Sequence, residues 1–311
     1  FLLILALVCG VLLASGGISV YFSYQENKSA LASLQHEKAI AAASRIEQFI
    51  RQIEQQLSFA ALPQLGVGGI ELRRIEFLKL LRQVPAVTDV AQLDATGKEL
   101  LAVSRLGMDV AGSSKDRSQD PAFLGAKPGQ IWYGPVYFRK ETEPYMAIAV
   151  RSGGEAGVVT VTDVNLKFIW DVVQRIKIGN KGKAYVLDGT GHLIADPDIG
   201  LVLRKTDFSG LAHVKSALAG PDVSEEQAIL ASDLSGAKVL TAFAGIEPLG
   251  WKVFVEQPIS EVYATLNATI LRAGALMVAG LLISAFTALW LARGLVRPIR
   301  ALQEGAARIG A

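Results

Sequence analysis

The ten residues from Leu93 to Ala102 read LDATGKELLA, and those from Leu187 to Asp196 read LDGTGHLIAD. Each is an apolar run, a turn at Asp-x-Thr-Gly and a return to apolar residues. The two lie 94 positions apart, and the spacing recurs. PYMAIAV at 144–150 falls on KVLTAFA at 238–244, and VVTVTDVNLKFI at 158–169 falls on KVFVEQPISEVY at 252–263. Three elements sharing one spacing mark a repeat of architecture, carried only weakly by residue identity. The repeat predicts two small α+β modules in tandem, each on an antiparallel sheet. Asp94 and Asp188 are expected to be structural. Such an aspartate accepts from backbone amides across the turn, and the glycine takes positive φ.

Short apolar runs between turns supply the strands. In the first module they are VTDVAQLD, KELLAVS, IWYGPVYF, EPYMAIAV and GVVTVTD; in the second, KAYVLD, HLIAD, KVLTAFAG and WKVFVEQ. NLKFIWDVVQRI between them is amphipathic and helical, and ISEVYATL opens another helix. Ahead of the modules, Tyr24 to Ala61 holds neither proline nor glycine. Ile46, Ile50, Ile53 and Leu57 form a helical stripe there, which Leu31 and Leu34 extend. A helix of about 38 residues reaches about 57 Å, which suits a stalk along the side of a domain. A shorter helix is expected after LPQLGVGG, with Ile75, Leu78 and Leu81 apolar.

The chain is 51% hydrophobic with a mean hydropathy of +0.35. The excess sits in two uncharged runs, Phe1 to Gln25 and Ala273 to Ala292. A hydrocarbon core about 30 Å thick needs about 20 apolar residues in a helix, so both are expected to span a membrane. Arg293, Arg297, Arg300 and Arg308 follow the second run against Glu304 alone, which places that end in the cytoplasm and the middle of the chain outside. Cys9 is the single cysteine and falls in the first run; His36, His192 and His213 have no ligand-like spacing. Neither a disulfide nor a metal site is expected. A net charge of +2 gives no field suited to nucleic acid. No catalytic or cofactor motif stands out, so no catalytic residue and no cofactor are assigned.

A membrane span, a long stalk helix, two PAS-like sheet modules and a second span together resemble the double-Cache sensor domains of bacterial chemoreceptors, histidine kinases and nucleotide cyclases. YGPVYF, EPYMAIAV and VNLKFIWDVV are similar to the membrane-distal module, and GNKGKAYVLDGTGHLIADPD to the start of the proximal one. RGLVRPIRALQEGAARIGA resembles the first helix of a HAMP linker, with Ile299, Leu302, Ala306 and Ile309 as its seam. The organisation this implies is a span at 1–23, a stalk at 24–61, a distal module at 62–170, a proximal module at 171–270, a span at 271–292 and a HAMP start at 293–311.

The resemblance places a small ligand in the distal module, with the aspartate at the end of its last strand meeting a ligand amine; Asp163 matches that position. Its counterpart at the 94-residue offset is Gln257, which is uncharged. Trp132, Tyr133, Tyr137, Arg139 and Tyr145 crowd two neighbouring strands and are candidates for apolar walls and polar contacts. Strict alternation groups Trp132 with Val136 and Phe138, and Tyr133 with Tyr137 and Arg139. Arg105 and Asp120 are further candidates in the loop region that covers the pocket in PAS-like modules. Asp163 as an N-cap for the following helix is the competing reading. Amino-acid-binding members share an Arg-x-Trp pattern, but GQIWY has Gly129 and Gln130 where the arginine falls. The ligand classes that remain are amines, organic acids and other small metabolites.

The function implied is extracytoplasmic sensing and transmembrane signalling, foremost for a sensor histidine kinase, with a nucleotide cyclase or chemotaxis receptor as alternatives. The long stalk and HAMP likeness imply a homodimer in the bacterial inner membrane. A module that senses a periplasmic protein instead predicts an exposed apolar patch and a collapsed distal pocket.

Overall fold

The computed structural model describes residues 2–62, 69–139, 143–154, 157–219 and 228–291. They form two compact units, one within residues 33–258 and one of residues 2–32 with 259–291. The first helix, α1, covers Leu2–Ala61, and α2 covers Ile70–Gln83. The distal module then runs β1 (Val87–Leu93), β2 (Glu99–Ser104), β3 (Val110–Ala111), α3 (Pro121–Gly125), β4 (Ile131–Tyr133), β5 (Tyr137–Arg139), β6 (Glu143–Ser152) and β7 (Val158–Asn165). Helix α4 (Lys167–Arg175) leads to β8 (Lys183–Leu187), β9 (Leu193–Ala195), α5 (Ile199–Leu203), α6 (Ala212–Leu218), β10 (Ile229–Ser232), β11 (Lys238–Ile246) and β12 (Trp251–Pro258). Helix α7 (Ile259–Leu291) starts at the next residue.

The expected duplication is present. Strand order is β3-β2-β1-β7-β6-β4 in the distal sheet, with β5 also on β6, and β10-β11-β12-β8-β9 in the proximal one. Apart from the added β3 and β5 these are one topology, and every pairing is antiparallel. The Asp-x-Thr-Gly turns close equivalent hairpins. The Asp94 carboxylate accepts from the amides of Thr96 and Lys98 at 2.8 and 2.9 Å, and Asp188 accepts from those of Thr190 and His192, both at 2.9 Å. Gly97 and Gly191 take φ of 86° and 94°, open to glycine without strain. A third copy, Asp233 to Gly236, joins β10 to β11 by the same bonds. Its serine in place of threonine hides it from a search for the first two.

In the larger unit α1 lies against one face of both sheets. Ile46, Ile50, Ile53 and Leu57 are at most 1% exposed and share one core with Val90, Met146 and Val164 of the distal sheet and Val186, Val253 and Val255 of the proximal sheet. The stripe is not continued by Leu34, which is exposed. Ala39, Ala42 and Ala43 carry it instead, where small side chains let the helix approach closely. In α2 the buried positions are Phe77, Leu80 and Leu81, so Ile75 is on the outer side. Polar groups tie α1 along its length. Glu54 accepts from the Tyr133 hydroxyl, Glu47 from the Glu247 amide at 3.0 Å, and Gln35 donates to Gln257 at 3.1 Å.

Among the residues whose side chains are described, no helix is long and apolar enough to cross a membrane. The expected spans fall on the start of α1 and on α7, with Ala292 and the expected HAMP segment outside the described residues.

The buried stripe makes a direct prediction. Ile50→Ala should lower the unfolding free energy by about 2–5 kcal/mol in a urea titration. Phe59→Ala, on the same helix but exposed, should stay within about 0.5 kcal/mol.

Candidate functional site

With α1 on one face of each sheet, the opposite, outer face is where the two modules can differ. Register aligns them residue by residue. Ala91 faces Val161 across β1 and β7, as Tyr185 faces Phe254 across β8 and β12. Ala149 faces Val161 and Ala147 faces Asp163, as Phe243 faces Phe254 and Thr241 faces Glu256. Where the distal module has Ala91, Val161 and Ala149, the proximal one has Tyr185, Phe254 and Phe243. The proximal rings pack on each other, Tyr185 on Phe254 at 5.3 Å and Phe243 on Phe254 at 5.6 Å. The distal outer face is filled only in its upper part, where Trp132 and Phe123 pack over Leu93, Val159 and Val161 beside α3. Gly125 and Gly134 leave room for the Trp132 indole, which any side chain at either would meet. Ala147 is only half-buried although it lies on an interior strand.

The lower part of that face carries charge. VTDV occurs twice, at 87–90 and 161–164, and places Asp89 and Asp163 directly opposite each other on β1 and β7. Like charges so placed repel. Arg139, from β5, bridges them, with one guanidinium nitrogen 2.6 Å from Asp89 and another 3.0 Å from Asp163. The same guanidinium lies over the Tyr145 ring at 4.6 Å, and Tyr137 packs beside Tyr145 with ring centres 6.0 Å apart. All three ionic side chains are between 27 and 29% exposed, so solvent reaches them. Two carboxylates against one guanidinium leave the cluster with a charge of −1, and a solvent-reached cluster of that sign attracts a cation.

The two carboxylates are not equivalent. Burial works against the charge of Asp89, but hydrogen bonds from Ser104, Arg139 and Thr88 outweigh it and hold its pKa below the ordinary 3.8. At Asp163 burial prevails over the Tyr137 hydroxyl and the Arg139 charge, Asp89 adds repulsion, and the pKa is raised. Burial, then the Asp163 charge, push the Tyr137 phenol upward, which keeps it a hydrogen-bond donor at neutral pH.

The structure therefore brings together Asp163, Tyr145, Tyr137 and Arg139, with Trp132 higher on the same face. Three further candidates lie outside this group. Tyr133 points to the opposite face and bonds Glu54 of α1, because Gly134-Pro135 interrupts strand alternation and returns Tyr137 and Arg139 to the side of Trp132. Asp120 is the N-cap of α3, accepting from the Ala122 amide at 3.0 Å, and pairs with Arg117 at 2.5 Å. Arg105 stands apart at the end of β2, its amide bonded to the Thr88 carbonyl at 2.8 Å. Asp163 is not a helix cap. The strand continues to Asn165, whose side chain accepts from the Lys167 amide at 2.8 Å.

The counterpart of Asp163 also changes. The β11–β12 hairpin is one residue shorter than β6–β7, so Glu256 and not Gln257 occupies the equivalent place. Glu256 is buried under the proximal rings, accepting from the Tyr185 hydroxyl at 2.6 Å with His213 at 3.2 Å. Both modules thus carry an acid there, and what separates them is exposure: the Asp163 side chain is 27% exposed and that of Glu256 4%. Asp89 is not among the candidates drawn from the sequence; the repeated VTDV is the signal that points to it. Among the described residues no cluster could hold a metal ion.

A family model of the Cache domain, dCache_1, matches residues 23–266. The methyl-accepting chemotaxis protein TlpB of Bacillus subtilis is 22% identical over 184 residues, 59% of this chain and 26% of that protein, so the chain spans about a quarter of the length of this curated relative. Among solved structures, the extracellular domain of the candidate histidine kinase mmHK1S-Z2 is 18% identical with a TM-score of 0.56, covering 74% of this chain and 99% of that one. The ligand-binding domain of the Campylobacter jejuni chemoreceptor Tlp3, in complex with L-norvaline, is 17% identical with a TM-score of 0.54, covering 78% and 94%. That of the Pseudomonas aeruginosa PAO1 amino acid chemoreceptor PctC, in complex with GABA, is 15% identical with a TM-score of 0.50, covering 71% and 97%. At these identities the likeness to the solved structures is one of fold.

The opposite pKa shifts predict opposite pH responses. A depressed pKa contributes stability that is present above the unfolded-state value and lost as pH falls through the folded one. Asp89→Asn should therefore lose about 1–3 kcal/mol at pH 7, with the gap to wild type closing below pH 3.8. A raised pKa contributes stability that is present in acid and lost as pH rises through it. Asp163→Asn should therefore be neutral or stabilising at pH 7 and merge with wild type in acid. Chemical denaturation across pH 3–7 checks both; a larger loss from Asp163→Asn than from Asp89→Asn at pH 7 would contradict the assignment.

Proposed function

The chain belongs to the Cache domain family, and on that premise we propose that it is the sensing part of a bacterial receptor, taking a small amine-bearing ligand on the outer face of the distal module. The observation that carries this is the pair of opposed carboxylates, Asp89 and Asp163, beside an alanine-lined face. A ligand ammonium over Asp163 adds the second positive charge the cluster lacks. Tyr137 and Tyr145 supply ring faces, which also favour a cation. Trp132 closes the cleft towards α3. Arg139, already paired with both carboxylates, orients Asp163. The amines among the ligands of PctC and Tlp3 are consistent with this chemistry.

The apolar runs at 1–23 and 271–292 act as membrane spans, and the arginines beyond the second hold that end in the cytoplasm. Residues about 24–270 then lie outside, and 293–311 begin a HAMP linker. A sensor histidine kinase is the foremost full-length setting, with a chemotaxis receptor or nucleotide cyclase as alternatives. Pairing of two chains along α1 gives the dimer. The proximal module, its outer face packed with aromatic rings, transmits: α4 follows β7 and leads into it, and β12 leads directly into α7.

A thermal-shift screen of the whole chain in lipid nanodiscs against amines, amino acids and organic acids tests this reading. An amine at about 100 times its dissociation constant should add about 2.7 kcal/mol. The effect should disappear in Asp163→Asn and weaken as pH falls and Asp163 takes up a proton. Hits confined to acids without an amine, or an amine effect unchanged in Asp163→Asn, would refute it.

A further inference from the structure

We infer that the base of the distal sheet holds a second ligand site, which shares only the Tyr145 ring with the Asp163 cluster, for a small carboxylate with an apolar body. A cavity of about 560 Å³ opens there between α1, the α2–β1 connection, the end of β2 and α4. That volume lies in the range of about 300–1,000 Å³ usual for small-molecule pockets. Its wall is aromatic. Phe49 of α1 and Phe168 of α4 stack at 4.4 Å and 20°, and the buried Tyr145 lies on the same cavity.

Arg105 gives the site its anion-binding group. It lines the cavity with its backbone pinned to Thr88, while its side chain makes one long hydrogen bond, 3.4 Å, to the Val87 carbonyl. Among the described residues no carboxylate lies within ion-pair distance of Arg105, whereas Arg139, Arg117 and Arg74 are all paired. A guanidinium that no carboxylate of the described residues pairs, beside an apolar wall, suits a ligand carboxylate, which it can hold through two parallel hydrogen bonds. Lys167 lines the same cavity and adds a second positive charge. Glu143 and Asp171 also face it. Glu143 already accepts from Asn165 at 2.9 Å and Tyr145 at 3.1 Å; the two acids balance the two cations, so the lining is neutral overall, and Arg105, with no carboxylate of the described residues in ion-pair distance, is where a ligand carboxylate enters.

The place of the cavity suggests its use. Phe49 belongs to the stalk helix and Phe168 to α4, which leads to the proximal module. A ligand wedged between them contacts both elements and biases their arrangement wherever it prefers one. The amine site and this cavity share the Tyr145 ring but offer different charged groups, Asp163 in one and Arg105 in the other.

Benzoate, benzamide and benzylamine are suitable probes, titrated by calorimetry and ligand-observed NMR into the whole chain in lipid nanodiscs. Benzoate is expected to bind saturably, and neutral benzamide at least about tenfold more weakly, since losing the charge-assisted pair is worth a decade of affinity or more. Arg105→Gln should weaken benzoate by the same factor and leave the circular dichroism spectrum unchanged, because Arg105 is exposed. Phe168→Ala should weaken benzoate and benzamide together. Asp163→Asn should leave benzoate untouched while removing amine binding, so failure of one site is distinguishable from failure of the other. Absence of saturable benzoate binding, indifference to Arg105→Gln, or loss in Asp163→Asn would overturn the proposal.

Discussion

Everything in the larger unit depends on the burial of one helical stripe. Ile46, Ile50, Ile53 and Leu57 close the inner faces of both sheets at once, in a single core that reaches from Val90 to Val255. Once that face is taken, each sheet has one face left. Its fate is set by side-chain size: Tyr185, Phe243 and Phe254 fill it in the proximal module, whereas Ala91, Ala149 and Val161 stand at the same places in the distal one. Protein interiors pack densely, so replacing three aromatic rings by small side chains either collapses the covering layer or leaves room. Trp132 and α3 close part of that room, and the half-exposed Ala147, Asp89 and Asp163 mark where they stop.

The ionic cluster fits this picture. Two carboxylates directly opposite on neighbouring strands are unfavourable in a structure that has no use for them. The proximal sheet avoids the conflict by placing Lys183 opposite Glu256. Strain of this kind tends to persist at functional positions, where a binding partner relieves it.

Much of this was legible in the residues. The 94-residue offset found the duplicated topology, because turn chemistry and strand length are local properties. The stripe of α1 was legible because a 3.6-residue period is unmistakable over 12 positions. Errors came where one residue changes the outcome. The shorter β11–β12 hairpin turned Glu256 into the counterpart of Asp163, since a shift of one position exchanges sheet faces. Gly134-Pro135 did the same between Trp132 and Tyr137. The short elements α3 and β10 have no periodicity to read, and the pairing of Asp89 with Asp163 is a long-range property that only the repeated VTDV hinted at.

The central claim is that the distal outer face has room where the proximal one has none, and it can be tested without a ligand. The measurement is the unfolding free energy of Ala147→Phe beside that of Thr241→Phe, the equivalent place in the proximal sheet. A ring added over open space should change stability by less than about 1 kcal/mol, and one forced into a packed layer should lose about 1–3 kcal/mol or more. The account predicts the first result for Ala147→Phe and the second for Thr241→Phe. Equal, large losses at both positions would mean the distal face is packed shut, and the proposed cleft does not exist.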